Sequence, residues 1–294
     1  MVNWDDVRIF LAVARAGQIL GAARRLGLNH ATVSRRIAAL EASLKARLFR
    51  RTTSGSDMTE AGERFLAVAE RIEADMIAAR AEIAGEGDEI AGTVRIGAPD
   101  GFGVAFLAPR LGTLTARHPD LSVQLVPVPR SFSLSRREAD IAITVERPSE
   151  GRLVAAKLVD YTLGLYASRA YAAQYGLPQT PQQLAAHRLV GYVADLAISP
   201  SLDYAAEFSP GWQARFQISS ALGQAEAVRA GAGIGILHTF IARSHAELVP
   251  VPAVPPIRRA YWLVYHETVR PLKRVQTVSA FIGAEVEKAR ALFV

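Results

Sequence analysis

The chain has 294 residues, enough for two or three independently folded units, and half of them are hydrophobic and about a fifth charged, the balance of a folded, water-soluble protein. The absence of cysteine excludes a disulfide framework, thiolate metal sites and a cysteine nucleophile, and no apolar run reaches the roughly 18 residues that a membrane span needs. The pI near 9.8 points to an anionic partner, with the excess unevenly spread: residues 1–60 hold 10 Lys+Arg against 5 Asp+Glu, residues 61–90 hold 3 against 8, and the remainder from 91 holds 21 against 15.

The opening MVNWDDVRIF puts two acids where a signal peptide carries basic residues, so export is not expected and the cytoplasm is the default compartment. A helix is predicted over Trp4 to Ala16, with Val7, Phe10, Leu11 and Ala14 on one face. The stretch ILGAARRLGLNHATVSRRIAALEASL, Ile19 to Leu44, then reads as two short helices about a tight turn at Gly27, with Asn29 as cap of the second. Val33, Ile37, Leu40 and Leu44 share one face of that second helix, so His30, Thr32, Ser34, Arg35 and Arg36 lie elsewhere on it. This is a helix-turn-helix pattern, whose second helix presents its first turns to base edges in the major groove of double-stranded DNA. The alternative is that the two arginines are simply solvated.

After Leu44, LKARLFRRTTSGSDMT reads as packing residues Leu48 and Phe49 followed by a short basic hairpin, a wing for phosphate or minor-groove contact with Arg51, Thr53 and Ser54 as candidates. A disordered basic loop is the other reading. Thr59 caps a long helix in which Phe65, Ala69, Ile72, Met76, Ala79 and Ile83 repeat at heptad spacing, a seam along which two copies pair. A single helix lying on its own domain gives the same pattern, and that alternative stays open.

Gly85, Gly87 and Gly92 end the helix. From Thr93 the texture becomes α/β: strands TVRIG and LSVQLVPV with a helix around Phe106 to Ala116 between them, strands ADIAITV, LVAAKLV and YTLGLYA, helices Arg169 to Tyr175 and Pro181 to Ala186, a strand near Arg215 to Ser219, a helix Gly223 to Ala230, the strand AYWLVYH and a C-terminal helix from Pro271 to Phe293. Such a unit commonly has two lobes with a crevice at the strand ends.

Enzyme chemistry is poorly provided for. The six histidines, at 30, 118, 187, 238, 245 and 266, form no HExxH and no pair at one-face helical spacing. There is no GxSxG elbow, and the glycines of AGAGIG (230–235) follow a helix and precede a strand, the reverse of a dinucleotide loop. Neither a metal nor a cofactor is expected. A solute-binding protein for transport suits the α/β part but requires export.

Over its whole length the chain resembles the LysR-type transcriptional regulators, through DDVRIFLAVARAGQILGAARRLG, TVSRRIAALE, RLFRRT leading to MTEAGE, YASRAYAAQYGLP, READIAI and AVRAGAGIGIL. The resemblance implies an α+β multidomain protein and no enzyme: a winged helix-turn-helix over 1–60, a linker and dimerisation helix over 61–91, and a two-lobed, periplasmic-binding-protein-like effector domain over 92–294. Lobe I would take about 92–163 and 266–294, and lobe II about 164–265. It further implies a homodimer assembled into a homotetramer, a small-molecule effector between the lobes, and RNA polymerase as a candidate partner. By matching positions, DNA contacts fall on His30, Ala31, Thr32, Ser34 and Arg35, with Arg51, Thr53 and Ser54 in the wing. Family members often carry Gln-Pro in place of His30-Ala31 and GIGLLP-like sequence in place of GIGILH.

Effector contacts are expected at Ala98, Pro99, Asp100, Gly101 and Phe102, at Thr144 and Val145, and from the other lobe at Ser220, Ala221 and His238; ordinary strand-end packing is the alternative for each. Helix N-termini favour anions, and effectors in this family are often small carboxylates. Asp100 already puts a negative charge at one such end, so this effector is either not a simple acid or is held from the other lobe.

Overall fold

The computed structural model describes residues 3–52, 55–83, 90–127, 139–148, 152–193, 196 and 204–294. Among them, residues up to 83 and the turn His266–Lys273 form one unit, and the remainder from 90 onward forms a second.

In the first unit the local chemistry sets each helix boundary. Helix α1 (Trp4–Ala16) starts where Asn3 accepts from the Asp5 amide, with Asp5 and Asp6 at the positive end of its dipole. Helix α2 (Ile19–Leu26) stops at Gly27, whose φ of 63° is left-handed and whose amide returns to Ala23 and Arg24. Helix α3 (His30–Leu44) is capped by Asn29, whose Oδ1 accepts from the amides of Ala31 at 2.7 Å and Thr32 at 3.3 Å. Val7, Phe10 and Leu11 of α1, Ala22 and Ala23 of α2, and Val33, Ile37 and Leu40 of α3 close one core, each large side chain contributing on the order of 1.5–3 kcal/mol by leaving water.

Strands β1 (Phe49–Thr52) and β2 (Gly55–Met58) form an antiparallel hairpin with Phe49 opposite Met58. Helix α4 (Glu60–Ile83) follows, with the Thr59 hydroxyl accepting from the Gly62 amide at 3.0 Å. A Cβ on Gly62 would lie 2.2 Å from the Leu48 carbonyl oxygen, so α4 can leave the hairpin this closely only with glycine there. Arg15 binds Glu73 across α1 and α4, and the turn after residue 266 packs on α4, with His266 Nε2 3.5 Å from Glu70 Oε2 and both side chains buried. The Thr268 amide donates to His266 Nδ1 at 3.3 Å, which leaves the ring proton on Nε2, facing Glu70.

The second unit is built on a nine-stranded mixed sheet. Its strands are β3 (Gly92–Ala98), β4 (Leu121–Pro127), β5 (Ile141–Thr144), β6 (Leu153–Ser168), β7 (Leu189–Gly191), β8 (Phe216–Gln217), β9 (Ile234–His238), β10 (Leu248–Pro250) and β11 (Ile257–His266). They run in the order β4-β3-β5-β11-β6-β9-β7-β8, with β10 on β6. Two parallel sets, β4-β3-β5 and β9-β7-β8, flank the long strands β11 and β6, which run antiparallel to β5 and β9 respectively. The segments LVAAKLV and YTLGLYA, expected as separate strands, are one strand, because no Gly or Pro interrupts Val159-Asp160-Tyr161. Its first half is open to solvent and its second half buried, and that change of environment mimics a break in the sequence.

Helix α5 (Asp100–Phe102), a π turn over Gly103–Leu107 and α6 (Ala108–Arg117) run consecutively, so helical structure begins at Asp100, six residues before the expected start. The other α-helices among the described residues are α7 (Arg169–Tyr175), α8 (Ala205–Phe208), α9 (Ala221–Arg229), α10 (Thr239–Ala242) and α11 (Lys273–Lys288), and Pro181–Ala186, expected as a helix, is a 3-10 helix. The glycines of AGAGIG serve packing: Gly233 has φ of 158° and would press a Cβ to 2.2 Å from the Arg188 carbonyl oxygen, and a Cβ on Gly235 would meet Val228 of α9 at 2.5 Å.

Candidate functional site

Each unit carries its own candidate surface. On the first, His30, Ala31 and Arg35 are exposed at the start of α3, Thr32 is half-buried, and Ser34 is half-buried with its Oγ turned inward and without a hydrogen-bond partner. Two adjacent arginines differ sharply. Arg36 binds Asp6 at 2.9 Å and Asp5 at 3.3 Å, and the Asp6 hydrogen bond first and the two acid charges after it raise its pKa. Arg35 makes no hydrogen bond or ion pair among the described residues and projects into solvent. Arg24 and Arg25 on α2 and Arg50 on β1 are exposed as well.

The hairpin is held to α3 by Glu41, a buried residue that sequence periodicity passed over. Its Oε1 accepts from the amides of Leu48 at 2.8 Å and Phe49 at 3.2 Å, and its Oε2 pairs with Arg47 at 2.9 Å. The Ser56 amide reaches the Gly17 carbonyl at 3.0 Å, so the far strand is tied to the end of α1. Arg51 lies in β1; Thr53 and Ser54 fall outside the described residues. A helix with an uncommitted cation on its first turns, beside a basic hairpin, can read a groove lined by phosphates.

The seam residues of α4 divide. Phe65 meets Phe10 edge to face with centroids 5.0 Å apart, and Ala69 is fully buried, so both serve their own unit's core. Ile72, Met76 and Ala79 are exposed, as is Val68, which the heptad reading omitted; the Ile83 side chain falls outside the described residues.

In the second unit, chain ends of the two parallel strand sets converge. Ala98 closes β3 and is buried; Pro99 precedes α5, and Asp100 Oδ2 accepts from Ser220 Oγ at 2.6 Å and from the Leu222 amide at 3.3 Å. Ser220 is itself the cap of α9, its Oγ accepting from Gly223 at 3.0 Å, so the Asp100 carboxylate occupies the positive end of that helix. Gly101 permits the approach: a Cβ there would sit 3.2 Å from Ala221 and 3.1 Å from Ile241. His238 ends β9 beside Gly101 and is partly open to solvent. Its ring stacks on Tyr161 at 5.2 Å, and Tyr161 in turn stacks on Tyr261 at 4.1 Å. Desolvation pulls the His238 pKa down to about 4, with Asp100 opposing, so the ring is neutral at pH 7.

Phe102 is fully buried and packs against Tyr261 with centroids 4.6 Å apart, a core role. Thr144 and Val145 are half-buried, and the Thr144 hydroxyl donates to the Glu146 carbonyl at 2.6 Å. Four tyrosines that sequence reasoning did not select complete the site. Burial raises the hydroxyls of Tyr161, Tyr192, Tyr204 and Tyr261, and the Asp100 charge adds to the effect at Tyr192, Tyr204 and Tyr261. Arg259 also faces this cluster and is held by Glu207. Only the wider spacing of strand-borne tyrosines, Tyr161 and Tyr261, could have hinted at them. Among the described residues no cluster of His, Asp and Glu could hold a metal ion.

Residues 4–63 match the family "Bacterial regulatory helix-turn-helix protein, lysR family" and residues 87–287 match "LysR substrate binding domain". The chain is similar to an HTH-type transcriptional regulator of Xanthomonas campestris pv. campestris, 33% identical over 184 residues that cover 63% of this chain and 54% of that protein. The chain thus spans between half and two thirds of the length of the first curated relatives it matches. Among solved structures, CrgA of Neisseria meningitidis superposes with a TM-score of 0.60 at 24% identity, covering 97% of this chain and 99% of that one. The full-length LysG of Corynebacterium glutamicum, with bound effector Arg, gives 0.65 at 21%, covering 97% and 99%. No helix among the described residues is long and apolar enough to cross a membrane.

Proposed function

This chain belongs to the LysR-type transcriptional regulators, DNA-binding proteins with an effector-binding domain, and from that premise we propose that it reads operator DNA with the first turns of α3 and answers to a small molecule held at the Asp100–Ser220–His238 crevice. The uncommitted Arg35 carries the proposal. A protein that spends Arg36 on two acids one position away, yet leaves Arg35 in solvent, keeps that charge for a partner outside the chain. Arg35 takes base edges, His30, Ala31 and Thr32 flank it, and Arg24, Arg50 and Arg51 with Thr53 and Ser54 take phosphates; Ser34 joins them only by turning its hydroxyl outward.

Two copies pair along Val68, Ile72, Met76 and Ala79 of α4, which presents two α3 helices to two half-sites; pairs of dimers form the tetramer. The effector acts by binding two arrangements of that assembly unequally, and RNA polymerase is the partner that senses the change. The role is regulatory, in the cytoplasm, with domains divided near 60 and 91 and lobes near 163 and 265.

Mobility shifts on the DNA upstream of its own gene, over a salt series, test the reading. Wild type binds selectively and weakens with salt; Arg35→Ala loses about 1–3 kcal/mol of specific affinity, roughly 5- to 150-fold, and with it the selectivity. Equal binding of both proteins to operator and random DNA overturns it.

A further inference from the structure

The crevice of the second unit is built with its anion already in place. An anionic ligand in such a crevice would take the helix-end amides and capping hydroxyl of α9. Here Asp100 Oδ2 holds both, at 2.6 Å from Ser220 Oγ and 3.3 Å from the Leu222 amide. A second anion at that end would meet a carboxylate rather than an open pair of donors. Asp100 Oδ1 makes no hydrogen bond among the described residues, so half of the carboxylate remains available as an acceptor.

Arg259, the cation facing the tyrosines, is already bound by Glu207. His238 stays neutral through burial, and its ring nitrogens make no hydrogen bond among the described residues. Tyr261 is fully buried, yet its hydroxyl has no hydrogen-bond partner among the described residues. An unpaired buried hydroxyl costs free energy unless water or a ligand supplies its partner. The Asp100 charge reaches the hydroxyls of Tyr261, Tyr204 and Tyr192, and the His238 ring, next to Gly101, stacks on Tyr161, so Asp100 shares its neighbourhood with aromatic side chains.

We infer that the effector of this protein is an organic cation, an ammonium-bearing compound with an apolar or aromatic body, whose charged nitrogen donates to Asp100 Oδ1 while its body lies against the partly open rings of His238 and Tyr192. The inference rests on the effector reading above and narrows its chemistry. A protonated amine satisfies Asp100 Oδ1 by a charge-assisted hydrogen bond and is favoured by aromatic neighbours. A carboxylate of the same shape is repelled by Asp100, and Arg259, the cation facing the tyrosines, is already bound by Glu207.

Three isosteric probes test this on the full chain: benzylamine, benzyl alcohol and benzoate, each at millimolar concentration, read by thermal shift and titration calorimetry. Wild type is expected to bind benzylamine about tenfold more tightly than the other two, the worth of one charge-assisted contact, and Asp100→Asn to remove that preference. The wild-type series needs no substitution, so it reads the charge class even if the variant folds poorly. Benzoate binding as well as benzylamine, or benzylamine binding unaltered by Asp100→Asn, overturns the cation assignment while leaving an effector crevice in place. Binding by none of the three overturns it together with the crevice.

Discussion

The two functional surfaces handle charge in opposite ways. On the first unit the structural cations are spent internally, Arg15 on Glu73, Arg36 on Asp5 and Asp6, Arg47 on Glu41, while Arg35 and the exposed Arg24, Arg25 and Arg50 have no partner among the described residues. In the second unit the crevice neutralises its own dipole with Asp100 and its own cation with Glu207. A surface for a polymer anion gains from open charge, because each neutralised phosphate releases counterions. A crevice for one small molecule gains from a low-dielectric lining in which a single uncompensated atom sets selectivity.

The comparison can be broken most forcefully at Glu41, where a paired charge holds the first surface in shape. Glu41→Ala leaves the Leu48 and Phe49 amides without their acceptor and is expected to cost about 2–4 kcal/mol in denaturant unfolding, with operator binding lost as the wing detaches. A loss below about 0.5 kcal/mol would show that the hairpin holds itself.

Next in size is the pH response of the second unit. His238 is held near 4 against an ordinary 6.5, so the unfolded chain binds the extra proton first. Stability is therefore full above about pH 6.5 and falls as the pH drops toward 4, by up to about 3 kcal/mol, an upper bound because the ring is partly reached by solvent. His238→Asn should flatten that slope in thermal unfolding measured from pH 7 to 4. An unchanged slope would assign it to other groups.

The smallest effect sharpens the contrast within α3. Arg36→Ala is expected to change operator affinity by about twofold or less, since its charge is already committed, against the large loss at Arg35. Similar losses at both positions would mean that pairing with Asp5 and Asp6 does not withhold Arg36 from DNA.

How far the sequence could be read depends on the range of the forces involved. Helices α1 to α3 were legible because caps, Gly27 and the apolar stripe are local, and each acts within a few residues of the feature it determines. The division of the α4 stripe was not, because whether Phe65 or Ile72 faces the core depends on which face of α4 meets α1. Likewise Asp100, Ser220 and His238 were nameable as strand ends and helix starts, but the hydrogen bond joining residues 120 positions apart is a product of topology. Tyr261 meets Phe102 and Tyr161 for the same reason, and Glu41 escaped notice because a charged residue near a helix's apolar face carries no periodic signal.

The π turn at Gly103–Leu107 bears on how Asp100 came to point where it does. Such a turn is an α-helix carrying one surplus residue, and each residue added or removed rotates the helix on its N-terminal side by about 100° relative to the helix on its C-terminal side. Phe106, Leu111 and Leu114 fix the later part of the helix in the core. The wide turn takes up that surplus locally, so Phe102 before it is buried as well and Asp100 reaches Ser220. The aim of that acid thus depends on the spacing between Asp100 and Phe106 as well as on its own side chain: one further residue there, with no second wide turn to absorb it, would rotate Asp100 about a quarter turn away from Ser220.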